Sequence, residues 1–345
     1  MMQLQNALRR PWLWLTLGCS LLWGCMEQEA PSLTPPGIEN PLILQRADPW
    51  VYQDESGHFF FTSSVPEFNR IELRQGDSLQ ALQSASPEII WRKKTNGPMS
   101  ANIWAPELHR IDKRWYLYFS AGSQEHPFDI RLYALRNDAD NPLRGTWQEA
   151  EQIKTRHDTF ALDATTFEQA GTRYLVWSQK DPEDLKPASL HIARLSDPVT
   201  LEGPEVLIGR PEFAWEQRGI PANQGASIIK RGDRIFIFYT ASATDHRSAI
   251  GVLWAEADAD LLDSQSWHKL PEPVLATNET HGRLGPGHPS VIQHRPSGDT
   301  LMFYHSRDYK NLHGGELEDP NRHTRVRRVQ WDEQGMPVLR SELPD

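Results

Sequence analysis

Five stretches of the chain share one pattern of polar and apolar positions. Each opens on small or polar residues, enters a short apolar run, turns through a polar loop and returns as an aromatic-rich run. The first is Asp48-Pro49-Trp50-Val51-Tyr52, turning through Gln53 to His58 into Phe59-Phe60-Phe61-Thr62-Ser63-Ser64. Ala105 to His109 turns through Asp112-Lys113-Arg114 into Trp115 to Ser120, and Asp163 to Phe167 through Ala170-Gly171-Thr172 into Tyr174 to Ser178. Gln224 to Ile229 turns through Arg231-Gly232-Asp233 into Ile235 to Tyr239, and His288 to Ile292 through Pro296-Ser297-Gly298 into Leu301 to His305. Short apolar runs rich in β-branched and aromatic residues, separated by tight polar loops, read as β-hairpins.

The starts at 48, 105, 163, 224 and 288 lie 57, 58, 61 and 64 residues apart. A strand unit repeated at such a period predicts an all-β protein, a five-bladed β-propeller. Blades cannot bury their faces singly, so 42–345 is expected to be one domain. Further strands are predicted at Arg70 to Leu73, Glu88 to Arg92, Ile130 to Ala134, Trp147 to Ala150, Leu190 to Arg194, Pro204 to Ile208, Ile250 to Ala255, Thr324 to Val329 and Pro337 to Leu339. Short helical turns are expected at Leu79 to Gln83 and Glu256 to Asp263. The first residues of the units would converge on the axis, bringing Asp48, Asp163, Gln224 and His288 together.

Composition narrows the function. A net charge of −10 argues against a nucleic-acid backbone as partner. The 13 tryptophans offer flat surfaces for sugar rings or packing between blades. Both cysteines, Cys19 and Cys25, lie in an N-terminal stretch that reads as an export signal: Arg9-Arg10, then the apolar run Trp12 to Trp23. Leu22-Trp23-Gly24-Cys25 resembles a bacterial lipoprotein box, with ordinary signal cleavage as the other reading. The expected organisation is a signal at 1–25, a proline-bearing tether at 26–41 and the propeller beyond, exported as a periplasmic or outer-membrane lipoprotein or secreted.

The motifs are specific enough for a resemblance. Arg46-Ala47-Asp48-Pro49, Trp104 to His109, Leu162-Asp163-Ala164, Tyr239 to Asp245, Gly285 to His288 and Asp319 to Arg325 resemble those of glycoside hydrolase family 43, the five-bladed arabinanases, arabinofuranosidases and xylosidases. The last three are most like the α-L-arabinofuranosidase branch. The resemblance implies inverting hydrolysis of arabinofuranosyl or related pentosyl linkages in oligosaccharides or polysaccharides. Such chemistry needs a carboxylate that activates water and an acid that protonates the leaving oxygen, ~6.5–9.5 Å apart. By resemblance Asp48 is the general base and Asp163 the third carboxylate, which orients the acid and raises its pKa. Trp104, Glu107, Arg322 and Arg325 are implied substrate contacts. His288 is the residue the resemblance associates with a calcium ion in the central channel; no other cofactor is implied.

One motif departs from the family. The acid belongs in a segment reading Asn-Glu-Gly-Pro, and this chain has Asn223-Gln224-Gly225-Ala226. An amide has no proton to give and can only hydrogen-bond. Three readings stand: another acid serves, with Glu216, Glu212 and Glu107 nearest by sequence or blade position; the leaving group needs little protonation; or the chain binds sugar without cleaving it. A propeller that only binds protein is a further class, and the pocket carboxylates argue against it.

Overall fold

The computed structural model describes residues 33–345. The expected signal, with Cys19 and Cys25, and the start of the expected tether lie outside the described residues. Five four-stranded antiparallel sheets follow one another along the chain, each a meander in strand order. The first comprises β1 (Ala47–Gln53), β2 (Phe59–Ser64), β3 (Arg70–Gly76) and β4 (Glu88–Arg92). The second comprises β5 (Pro98–Ile111), β6 (Arg114–Ser123), β7 (Arg131–Asn137) and β8 (Gln148–Glu149), and the third β9 (Ala161–Gln169), β10 (Thr172–Lys180), β11 (Ala188–Asp197) and β12 (Thr200–Gly209). The fourth has β13 (Asn223–Arg231), β14 (Arg234–Ala241), β15 (Ala249–Glu256) and β16 (His268–Lys269), and the fifth β17 (Leu284–Gln293), β18 (Thr300–Arg307), β19 (His323–Trp331) and β20 (Pro337–Val338). The inner strands adjoin in a closed ring: β1 with β5, β5 with β9, β9 with β13, β13 with β17, and β17 with β1. This is the five-bladed propeller the repeat predicts.

The aromatic second strands explain the closure. Their residues are buried on both faces, because each blade is sandwiched between two others, so the apolar runs are continuous and not alternating. The apolar clusters sit between blades. Phe60, Ile71 and Leu73 of the first blade meet Leu108, Trp115 and Leu117 of the second, and Val176 and Ile192 of the third meet Ile235 and Ile237 of the fourth.

Three expectations need correction. Residues 33–41 are not a free tether: Leu33 and Ile38 are buried, and Asn40 exchanges hydrogen bonds with the backbone of Val326 on β19 at 2.8 and 2.9 Å. Leu42 and Ile43 then pair with Thr324, so this segment joins the last blade to the first. Glu256 to Asp263 forms turns and no helix, since the Asp260 and Asp263 side chains accept the N–H groups of Leu262 and Gln265 and compete with helical bonding. β16 has only two residues and escaped notice. The other expected turn is the helix α1 (Leu79–Ser84), capped by Ser78, whose Oγ accepts the Ala81 N–H at 3.1 Å.

Candidate active site

The site begins with an irregularity repeated in every inner strand. Each loses register with its hairpin partner near its start, at Ala47/Trp50, Trp104/Glu107, Gln224/Ser227 and Gly287/Ser290, and opposite Val176/Ser178 for β9. Within each break one residue adopts left-handed backbone: Asp48 (φ 52°), Ala105 (45°), Asp163 (57°), Gly225 (60°) and His288 (49°). Such bulges re-aim side chains, and here Asp48, Ala105, Asp163 and His288 line one pocket at the ring.

The preceding blade pins four of the five bulges. Ala105 N–H donates to Ser64 Oγ at 2.8 Å, Asp163 N–H to Ser120 Oγ at 3.0 Å, His288 N–H to Thr240 Oγ1 at 2.6 Å, and Asp48 N–H to His305 Nδ1 at 3.0 Å. These partners lie at or near the ends of the aromatic strands and pair across their hairpins with Ala47, Trp104, Gln224 and Gly287. Gln224 is therefore in step with Ala47, and Gly225 with Asp48. Aligning Gln224 with Asp48 by sequence is one residue out.

The pocket encloses about 240 Å³. Asp48, Asp163, Gln224, His288, His305 and Arg322 line it, with Glu316 and Leu317 on a strap between β18 and β19. Buried Arg307 donates to the carbonyls of Thr244 and Glu316 at 3.0 and 2.7 Å, tying the strap to the fourth blade. Asp319 anchors its other end by accepting from Tyr309 Oη, His313 N–H and Asn321 N–H.

Asp48 is an ionised, immobilised carboxylate. Ser64 Oγ donates to its Oδ2 at 2.5 Å and Arg322 Nη1 to its Oδ1 at 3.2 Å. His305 Nδ1 lies 3.3 Å from Oδ1, but it already accepts the Asp48 N–H and cannot donate as well. Burial pushes His305 down to about 4 and keeps it neutral. Burial also opposes the charge on Asp48, yet the guanidinium of Arg322, with His288 beside it, outweighs it and holds the carboxyl well below the usual range. Asp163 behaves oppositely. Burial pushes it up to about 6 and the charge of Asp48 adds to this, while His288, the Gly225 N–H and Arg322 work the other way. Two neighbouring carboxyls with separated pKa values are a signature of divided acid and base roles.

Not every expected residue is here. Trp104 and Arg322 line the pocket; Arg325 does not. Its guanidinium is taken up by the Gly282 carbonyl, Asp308 and Asp345, the last at 3.4 Å, which makes it a blade-closing group. Glu107 lies beyond the bulge on β5 and faces His109, 3.1 Å away, instead of the pocket. Burial, with the charge of Asp163, pushes Glu107 well above the usual range, and burial lowers His109 to about 3, so the two form a neutral hydrogen bond and not an ion pair. Glu216 is 0% exposed and accepts from Asn223 Nδ2, Tyr239 Oη and Lys269 Nζ at 2.8–2.9 Å, and from the N–H groups of Glu212 and Phe213. Burial opposes its charge, but these donors keep its carboxyl below the usual range. Glu212 is an exposed neighbour of Lys269 at 3.7 Å. Neither lines the pocket.

The pinning roles of His305, Ser64, Ser120 and Thr240 were not foreseen. Their signal was the Ser, Thr or His that ends or follows each aromatic run. For a metal, His288 Nδ1 is 3.6 Å from Asp48 Oδ1, but no three His, Cys, Asp or Glu side chains converge as a metal site among the described residues. Calcium favours six to eight oxygens. The residues do not fit a calcium held directly by the protein, and no chemical step is routed through one.

Comparison with known proteins agrees with this architecture. Residues 38–337 match the family described as glycosyl hydrolases family 43. The chain is 43% identical over 308 residues to an extracellular exo-alpha-(1->5)-L-arabinofuranosidase of Streptomyces avermitilis, covering 89% of this chain and 63% of that protein. It is 44% identical over 307 residues to alpha-L-arabinofuranosidase 43 of Humicola insolens, covering 89% and 64%. It thus spans a little under two thirds of the length of these relatives. The crystal structure of an alpha-L-arabinofuranosidase from Lactobacillus brevis superposes with a TM-score of 0.85 at 41% identity, covering 89% of this chain and 97% of that one. With the family match extending from the segment that closes the ring to the last strand, the chain belongs to glycosyl hydrolase family 43.

Proposed function

We propose that the protein is a glycosidase that hydrolyses terminal α-L-arabinofuranosyl linkages of oligosaccharides or polysaccharides with inversion. The observation that carries this reading is the pair of pocket carboxyls held apart in protonation: Asp48 ionised by Arg322 and Ser64, Asp163 pushed up beside it. Asp48 takes the proton of the attacking water, and Arg322 and Ser64 fix its oxygens. Asp163 is the third, modulating carboxylate of the pocket. The cavity is smaller than the ~300–1,000 Å³ usual for drug-sized ligands, which suits one sugar ring at a chain end. The relatives named above as arabinofuranosidases support the choice of sugar.

The test is hydrolysis of 4-nitrophenyl α-L-arabinofuranoside followed by proton NMR. The β-anomer of arabinose should appear first, and Asp48→Asn should lower the rate by ~10²–10⁴-fold, the usual worth of a general base. First appearance of the α-anomer would sink the inverting mechanism.

The extracellular relative from Streptomyces avermitilis supports export. Lipid attachment at Cys25 belongs to the same proposal. Labelled palmitate should enter the wild-type chain and not Cys25→Ala; equal labelling would refute the anchor.

A further inference from the structure

The pocket does not end at the sugar. Its outer wall, from the second to the fourth blade, carries Trp104, Phe128, Phe160 and Ile220 with Lys180 and Lys186. Phe128 and Ile220 are 63% and 52% exposed, although large apolar side chains are mostly buried elsewhere. The rings of Trp104 and Phe128 are 6.2 Å apart. Lys180 Nζ lies 4.6 Å from the centre of the Phe160 ring. Neither lysine is paired with a carboxylate among the described residues. Asp181 and Asp184, on the same loop, turn their oxygens to the N–H groups of Glu183 and Lys186. An aromatic mouth with two cations that no carboxylate neutralises is built for a flat, anionic group.

The carboxyls point the same way. Gln224 supplies no proton. Glu216 is saturated by donors, Glu107 is bonded to His109 outside the pocket, and Glu212 is at the surface. Glu316, at the strap, accepts the Thr244 N–H at 3.2 Å and lies 3.6 Å from Arg247. The site thus holds a base, one further pocket carboxyl, Asp163, and a cationic, aromatic exit.

We infer that the group this site releases is a phenol, so that its favoured substrates are aryl arabinofuranosides in which the aromatic ring sits against Trp104 and Phe128 and the departing phenolate faces Lys180 and Lys186. This rests on the hydrolase reading and ranks its aglycones: aryl groups leave fast and sugars slowly. Water attacks the anomeric carbon and gives its proton to Asp48. The bond from that carbon to the aryl oxygen breaks, and its electron pair leaves on the phenolate. Solvent later protonates the phenolate and receives the proton from Asp48. No general acid is needed.

The experiment compares kcat/KM for aryl arabinofuranosides of graded phenol acidity, methyl α-L-arabinofuranoside and α-1,5-arabinobiose. Wild type, Gln224→Glu, Lys180→Met/Lys186→Met and Phe128→Ala would be assayed, with melting temperature as the folding control. For the wild type, rates should climb steeply with phenol acidity, and aryl substrates should exceed arabinobiose by ~10³-fold, since a general acid is worth ~10²–10⁴. Gln224→Glu should flatten the dependence and raise arabinobiose cleavage. The double lysine variant should lose ~10-fold on aryl substrates and little on the methyl glycoside, a loss of about 1.4 kcal/mol. Arabinobiose cleaved within tenfold of the aryl substrates would overturn the inference and mean that a proton donor, Asp163 foremost, is at work. Absence of turnover on every substrate, with arabinose still raising the melting temperature, would instead remove the hydrolase reading, and this inference with it.

Discussion

At the scale of single residues, the site depends on how two buried carboxyls are treated. Arg322 is the guanidinium bonded to Asp48, so Arg322→Met leaves that carboxyl buried without its chief counter-charge. The acid limb of the pH–rate profile should move upward, and kcat/KM at neutral pH should fall by ~10²-fold, the lower end of what a general base contributes. An unmoved limb would mean that Ser64 and His288 suffice. Asp163 makes a prediction of opposite sign. Its pKa is raised to about 6, so its contribution to stability is full below the unfolded value and is lost as pH rises through 6. Asp163→Asn should therefore stabilise the fold above pH 6, by at most about 3 kcal/mol, and have no such effect near pH 4. Denaturant melts at both pH values check this, and equal effects would refute it. Asp48, Asp163 and Arg322 were legible because short motifs carry them. Arg325 shares the motif of Arg322, and only the path of β19 sends one guanidinium to the pocket and the other to Asp308 and Asp345. Glu107 was misjudged because the bulge at Ala105 changes which way the following residues point.

At the scale of elements, strands were readable wherever both faces are buried, since continuous aromatic runs survive any choice of register. The bulges were not readable. Four of the five left-handed positions are Asp, Ala, Asp and His; Asp and His visit that backbone only somewhat more often than other residues and Ala gives no warning of it, and only Gly225 fits its conformation without strain. Gly225 is also tightly placed, because a β-carbon there would lie 2.9 Å from His288 Nδ1. Gly225→Ala should cost about 1–3 kcal/mol through strain and the shifted imidazole, with a fall in activity larger than the loss of folded protein explains. Thermal melts and specific activity measured on the same sample decide it; activity that simply tracks the folded fraction would show that His288 tolerates the shift.

At the scale of the whole molecule, the ring is closed by a segment whose composition reads as a linker. Asn40, Leu42 and Ile43 bond to β19, and Leu33 accepts the Arg328 N–H at 2.7 Å. The prolines that suggested a free tether suit an extended path along an edge. A chain beginning at Leu42 should melt several degrees below one beginning at Leu33, since a loss of 1 kcal/mol shifts a domain of this size by ~2–4 °C. Equal melting temperatures would mean that the segment is an ornament of the fifth blade. The repeat made the five blades visible from sequence; this junction was invisible, because its bonds to β19 run through backbone groups except at Asn40, and a backbone bond leaves no mark in the sequence.

The five left-handed positions also bear on how such a protein can diverge. The backbone around the axis is nearly the same five times over, and what differs is the atoms at each seat: carboxylate, methyl, carboxylate, hydrogen, imidazole. Ala105 stands between the two acids and carries almost nothing. A lineage that keeps the ring can therefore exchange its chemistry one seat at a time, without rebuilding a strand, and Ala105 is the place where a new reactive group would need the least accommodation from the rest of the chain.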